Sequence, residues 1–200
     1  VFVAEGDLWL VPQEGGVARR LTSHPGEENF PSVSPDGQQL AFVGRYEGPA
    51  EVYVMPLAGG QPRRVTVDAD RNVRVDGWSP DGRIVITTAR HSGKPDARVY
   101  LLDPKTGDRE ALPLAEAGEV AWVGPQLVVT RGPQPTDNVI GYVGGRRQQL
   151  WSWAPGREAV PAFAGHPGTS RRPVTDGDQV YFLSDKEGRL NVWQARLGAS

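Results

Sequence analysis

The chain has 200 residues, 38% of them hydrophobic and 23% charged, with 25 glycines, 18 prolines and six tryptophans, so it can bury a core, turns often, and carries too many large aromatics for a disordered chain. Its formal net charge of −2 gives no global attraction to nucleic acid or an anionic membrane, and with no cysteine it forms neither disulfides nor thiolate metal sites. No apolar run approaches the roughly 18 residues of a helical membrane span.

The opening residues Val1–Ala4 read as a strand. They lack the basic and apolar regions of a signal peptide and an initiator Met, so the chain is expected to be cut from something longer. "GDLWLVPQEGGVARRLT" (6–22) follows, and it recurs as "AEVYVMPLAGGQPRRVT" (50–66) at a constant offset of 44 residues. Trp9 matches Tyr53, Gly15-Gly16 matches Gly59-Gly60, Arg19-Arg20 matches Arg63-Arg64 and Thr22 matches Thr66. The aromatic strand returns at Tyr100, Trp151 and Trp193, with successive spacings of 44, 47, 51 and 42. Ser-Pro-Asp-Gly at 34–37 precedes the apolar strand "QQLAFV", and a second copy at 79–82 precedes "RIVITT". Weaker versions follow at 124–130 and 176–183.

In the clearest unit the strands are expected near Pro31–Val33, Gln39–Val43, Glu51–Pro56 and Arg63–Val67. Asp36-Gly37 supplies the tight turn, and no segment sustains helical periodicity. A repeat of ~40–50 residues with four short strands indicates a β-propeller blade. The expected fold is all-β, a β-propeller of four-stranded antiparallel blades. About four and a half blades are expected, in 18 strands, out of the six or seven at which small propellers usually close. The reading is one incomplete propeller domain over 1–200, with blade parts near 1–29, 30–73, 74–117, 118–170 and 171–200. The five aromatics should occupy one equivalent position, mostly buried between neighbouring blades. The open edges of such an arc should promote association.

Few motifs carry chemistry. "GWSPDG" (77–82) misses the G-x-S-x-G elbow by one residue, and turn chemistry accounts for Ser, Pro and Asp-Gly. "DADRN" (68–72) starts like a calcium loop but has Val73 and Ser79 where the loop needs Gly and Glu. His24, His91 and His166 fall in different blades without ligand spacing and read as exposed loop residues; His24 and His166 each precede Pro. No metal site, cofactor or catalytic residue is expected. The pairs Arg19-Arg20 and Arg63-Arg64 read as an outer strand facing solvent. The exception is "NVIGYVGGRRQQLW" (138–151), where the fourth blade's second and third strands, Leu127–Arg131 and Gln149–Trp153, are joined by a stretched connection. Glycine amides and guanidinium groups both suit phosphate or carboxylate, which makes Tyr142, Arg146 and Arg147 candidate binding residues. The alternative is a structural insertion packing Ile140 and Tyr142. If it is functional, the arginines should point into open space.

These residues carry a resemblance. "SPDG" before "LAFV", then a "VY" strand and "GG…R…T", resemble the repeats of TolB-like and prolyl-oligopeptidase-like propellers. More specifically, "GYVGGRRQQLW" (141–151) resembles the Tyr-x-Gly-Gly stretch ending in [Ile/Leu]-Trp in the first propeller of tricorn proteases. "VFVAEGDLWLV" (1–11), "DGWSPDGRIVITTA" (76–89) and "RPVTDGDQVYFLSDKEGRLNVW" (172–193) resemble its first, third and fifth blades. Ile140 departs from the family pattern, which often has an aromatic or Lys there.

The resemblance implies a large cytoplasmic serine peptidase built as homo-oligomeric toroids. Two propellers would precede a PDZ domain and catalytic α/β domains. The six-bladed first propeller would gate or dock peptides and support assembly, with the catalytic residues far downstream and none in this segment. Partners would be peptides, through the whole enzyme, and other domains and subunits, with no nucleic acid and no membrane. The rivals are a TolB-like periplasmic protein-binding propeller and the propeller lid of a prolyl-oligopeptidase-like hydrolase.

Overall fold

A computed structural model of the chain describes residues 1–93, 96–132, 144 and 147–198. Its strands form antiparallel sheets in two compact units, Val1–Pro95 with Val99–Leu112, and Asp96–Arg98 with Pro113–Ser200.

The first unit carries three sheets. Strands β1 (Phe2–Ala4), β2 (Asp7–Leu10) and β3 (Arg19–Arg20) pair in sequence order. So do β4 (Glu28–Val33), β5 (Gln39–Gly44), β6 (Glu51–Pro56) and β7 (Arg63–Arg64). The third sheet holds β8 (Arg74–Trp78), β9 (Ile84–Thr88), β10 (Arg98–Leu102) and β11 (Arg109–Ala111). In the second unit β12 (Gly118–Val123), β13 (Gln126–Arg131), β14 (Gln149–Trp153) and β15 (Val160–Pro161) form a four-stranded meander. Strands β16 (Arg171–Asp176), β17 (Gln179–Ser184) and β18 (Asn191–Arg196) form a three-stranded one.

These are the antiparallel blades of a β-propeller, three with four strands and two with three, and they correct the expected count. Among the described residues there are five blade sheets rather than about four and a half, because the shorter first and last groups each close a regular ladder of their own. Phe2 pairs with Trp9 and Trp9 with Arg20 at one end. At the other, Val174 pairs with Tyr181 and Tyr181 with Gln194.

The middle strands β5, β6, β9, β10 and β13 are buried on both faces and read as continuous apolar runs, whereas β17 and β18 alternate. Leu8 of β2 packs with Leu40, Phe42, Tyr53 and Met55 of the second sheet. Val43, Val52 and Val54 pack with Val75, Ile84, Ile86 and Tyr100 of the third. In the second unit Val128 and Leu150 pack with Val180 and Phe182, and Trp193 adds a half-buried ring. The repeated aromatics occupy one register: Trp9 opposes Arg20, Tyr53 opposes Arg64, Tyr100 opposes Ala111 and Trp151 opposes Pro161 on the outer strand. Tyr53 and Tyr100 are buried, whereas Trp9, Trp151 and Trp193 are half-buried. The outer-strand pairs Arg19-Arg20 and Arg63-Arg64 face solvent.

Each Ser-Pro-Asp-Gly copy builds the turn between the first two strands of its sheet. Ser34 Oγ accepts from the Gln39 N–H at 2.9 Å and its hydroxyl donates to Asp36, while Gly37 turns at φ 71°. Ser79 repeats this with the Arg83 N–H at 3.0 Å and with Asp81, and Gly82 turns at φ 82°. The Ser34 hydroxyl and the Gln38 N–H hold the Asp36 carboxyl below its ordinary range. Ser79 is spent in the turn and buried, so it offers no nucleophile.

Candidate functional site

The polar chemistry concentrates where the crossover leaving one sheet passes the loop between the second and third strands of the next. A propeller must make this passage at every blade, and it leaves backbone N–H groups that need partners. One device recurs. The N–H of Leu8 donates to Thr22 Oγ1 at 2.9 Å, that of Val52 to Thr66 Oγ1 at 2.9 Å, and that of Leu150 to Ser170 Oγ at 2.9 Å. Two of these hydroxyls pass their own proton to a buried carboxylate: Thr22 to Glu28 at 2.7 Å, and Thr66 to Glu51.

Glu28 is fully buried and also accepts from the Tyr46 phenol at 2.7 Å. Burial and the adjacent carboxylate push the Tyr46 phenol far up, so it remains a donor. Glu51 accepts from the N–H groups of Asp68 and Ala69 at 3.1 and 2.7 Å. Glu28 is thus spent on two hydroxyls, and Glu51 on one hydroxyl and two backbone N–H groups.

Around Asp68 the first unit gathers charge. Arg109 donates to the carboxylate, the His91 ring lies 3.4 Å away, and the Arg90 guanidinium donates to the Asp68 carbonyl at 3.0 Å. Partial burial works to raise the Asp68 pKa, but the Arg109 and His91 contacts outweigh it and the net shift is downward. Asp70 accepts from the Asn72 N–H at 2.9 Å and from Thr88, so "DADRN" is an ion pair and a cap.

Two crossovers carry His-Pro-Gly. In the first unit Nδ1 of exposed His24 accepts from the Gly26 N–H at 2.9 Å, and its ring lies 4.1 Å from Tyr46. A Cβ on Gly26 would sit 2.4 Å from the Arg45 carbonyl oxygen. In the second unit a Cβ on Gly168 would sit 2.5 Å from the Lys186 nitrogen and 2.7 Å from Ser184 Oγ. His166 is half-buried there, which corrects the expectation of an exposed ring. Its Nε2 lies 2.7 Å from Ser184 Oγ, and its edge meets Phe182 at 5.4 Å. The reason is the Gly168 close approach, which draws the crossover down onto β17. A histidine and a serine in contact invite a nucleophilic reading, but Ser184 is fully buried and its oxygen already accepts from the Lys186 N–H. Thr169 donates twice to Asp185, from N–H at 2.7 Å and from Oγ1 at 2.9 Å.

Of the residues expected to bind, Tyr142 and Arg146 lie outside the described residues. Arg147 is half-buried as a residue, and its guanidinium donates to the Pro167 carbonyl at 2.6 Å in an exposed contact. It thereby joins the return to β14 to the His-Pro-Gly crossover. Arg131 lies over Trp151, 4.3 Å from the ring centroid. The hydroxyl–carboxylate devices and the histidine contacts were not read from sequence. Two signals pointed to them: the Thr22/Thr66 match within the repeat, and the recurrence of His-Pro-Gly.

The description "Tricorn protease N-terminal beta propeller domain" belongs to the family model that matches residues 1–200. A tricorn protease homolog of Saccharolobus solfataricus is 31% identical over 203 residues, covering 98% of this chain and 19% of that protein. Tricorn protease homolog 1 of Streptomyces coelicolor is 33% identical over 191 residues, covering 94% of this chain and 18% of that protein. The chain thus spans about a fifth of the length of these relatives. A crystal structure of the tricorn protease superposes with a TM-score of 0.81 at 21% identity, over 98% of this chain and 20% of that one.

Proposed function

The chain belongs to the tricorn protease N-terminal β-propeller family, and we propose that it serves as the non-catalytic propeller of a longer, homo-oligomeric serine peptidase that degrades peptides in the cytosol. On this reading the described blades are the larger part of a six-bladed propeller. It gates or docks peptides and supports assembly around an active site carried elsewhere. The observation that carries the reading is a family match running through all five blade sheets. That span favours a tricorn-type parent over a TolB-like binding propeller or a prolyl-oligopeptidase-like lid. The burial of Ser184 and Ser79 is consistent with a supporting role, because no acyl carbonyl reaches either oxygen.

Within that role the arginine-bearing stretch is the proposed peptide contact, with Tyr142 and Arg146 beside Arg147. A guanidinium held by one carbonyl retains donors for a carboxylate. The test is the Arg146→Ala/Arg147→Ala variant of the full-length enzyme, assayed on peptides with acidic or neutral ends. The expected outcome is normal folding and assembly with handling of acidic-ended peptides weakened about tenfold, the order of one charge-assisted hydrogen bond. The defect should shrink as salt rises. Lost stability or assembly with unchanged peptide preference would mark the stretch as a structural insertion.

A further inference from the structure

Three elements of the second unit converge on His166. The first is its own crossover, where Phe163 stacks on Phe182 with ring centroids 5.0 Å apart. The second is the end of β17 and the turn after it, which brings Ser184, Asp185 and Lys186. The third is the return to β14, which brings Arg147 to the carbonyl of Pro167, the residue next to His166.

We propose that the His166–Ser184 contact is an acid-released clasp, and that His166 is thereby a positioning residue for the Arg147 guanidinium. The argument starts from the fully buried Ser184 hydroxyl. Its oxygen already accepts from the Lys186 N–H at 3.2 Å, so its proton needs an acceptor, and a neutral imidazole Nε2 at 2.7 Å supplies one. A protonated ring has no lone pair to offer. It would turn a second donor toward the same oxygen and leave the hydroxyl proton unplaced.

The surroundings oppose the charge as well. Burial, the Lys186 ammonium and the Arg147 guanidinium hold the imidazole below its ordinary pKa, while the Thr169 backbone contact and the Asp185 carboxylate act the other way without reversing the result. Lys186 has little freedom to withdraw, because its ammonium sits 3.5 Å over the Trp193 ring. Arg147 can withdraw, since among the described residues one bond, to Pro167, holds its guanidinium against the crossover.

The sign follows. Above about pH 6.5 the ring is neutral both folded and unfolded, and the clasp is intact. As the pH falls from there through the lowered folded value, the unfolded or opened form takes up the proton first, and the closed form loses stability. Acid therefore loosens the Phe163–Ser170 crossover and frees Arg147 from its carbonyl anchor. This stands on the clasp geometry and the charges that face it. Only its consequence for peptides rests on the function proposed above.

The experiment is hydrogen exchange on the full-length protein near pH 7.5 and near pH 5, corrected for intrinsic rates. In the wild type, peptides covering 163–170 should lose about fivefold protection at the lower pH, the scale of a local opening rather than global unfolding. His166→Gln keeps an uncharged acceptor for Ser184 and should remove the difference while preserving protection near pH 7.5. Lys186→Met removes one opposing cation and should shrink the loss. Equal wild-type protection at both pH values overturns the clasp on its own, even if His166→Gln fails to fold. So does an undiminished loss in either variant. A parallel measurement of acidic-ended peptide binding separates the two ideas. If exchange behaves as expected but binding ignores both pH and Arg147→Ala, the clasp holds and the peptide reading fails.

Discussion

At the scale of single residues, the strictest demands fall on Gly26 and Gly168. Neither is needed for a left-handed turn; each is needed because a crossover backbone runs against the next sheet's loop with no room for a side chain. The nearest atoms that a Cβ would strike are backbone atoms, Arg45 oxygen at 2.4 Å and Lys186 nitrogen at 2.5 Å, so a rotamer change cannot relieve the clash. Gly26→Ala and Gly168→Ala should each destabilise by about 1–3 kcal/mol, the usual cost of overpacking. Gly77 is the control: it lies within β8, and a Cβ there meets nothing within 4 Å. Gly77→Ala should change stability by less than about 1 kcal/mol. Chemical denaturation of the three variants checks the contrast. Equal effects at all three positions would mean that close approach is not what these glycines provide.

At the scale of the strand and its loop, a hydroxyl takes over a hydrogen bond where the ladder to the outer strand ends. The outer strands β3 and β7 are only two residues long, so the third strand runs out of backbone partners beside the crossover. Thr66 then accepts the Val52 N–H and hands its proton to Glu51, whose other oxygen accepts the Ala69 N–H. Thr66→Val keeps the shape but leaves a buried N–H and a carboxylate short of partners. It should cost about 1–3 kcal/mol, while Thr66→Ser should restore most of the loss. Thermal unfolding of the pair decides, and a valine as stable as the serine would refute the role.

This level also shows what could be read beforehand. The strands were legible because the 44-residue repeat places Trp9 and Tyr53, Arg20 and Arg64 in equivalent registers, and because Asp-Gly marks the turns. The partners of Thr22, Thr66 and Ser170 were not, since each bond joins residues 14 to 20 apart across a crossover, and nothing local in the sequence distinguishes a bonded threonine from a solvated one. His166 was misread for the same reason. Its burial depends on Gly168 meeting Lys186, a contact that appears only when the crossover is placed on β17.

At the scale of the whole molecule, the β16–β18 sheet has one buried apolar face and a second on which exposed valines stand beside Gln179, Gln194 and Arg196. One face, with Val180 and Phe182, is buried against Val128 and Leu150. The other is lined by Val174, Tyr181, Leu183 and Val192, brought onto one side by the pairings Val174–Tyr181 and Leu183–Val192. On that side Val174 is 64% exposed and Val192 69%. Large aliphatic side chains left in water on a sheet face favour association with another apolar surface. The 200-residue piece prepared by itself should therefore self-associate in a concentration-dependent way. Val174→Lys combined with Val192→Lys should suppress this by placing two like charges on the face, with the fold retained because neither side chain enters the buried core. Light scattering across a concentration series, with circular dichroism to confirm the sheets, gives the answer. A wild-type piece that stays monodisperse and monomeric, or an aggregate that the two lysines leave unchanged, would show that this face does not drive association.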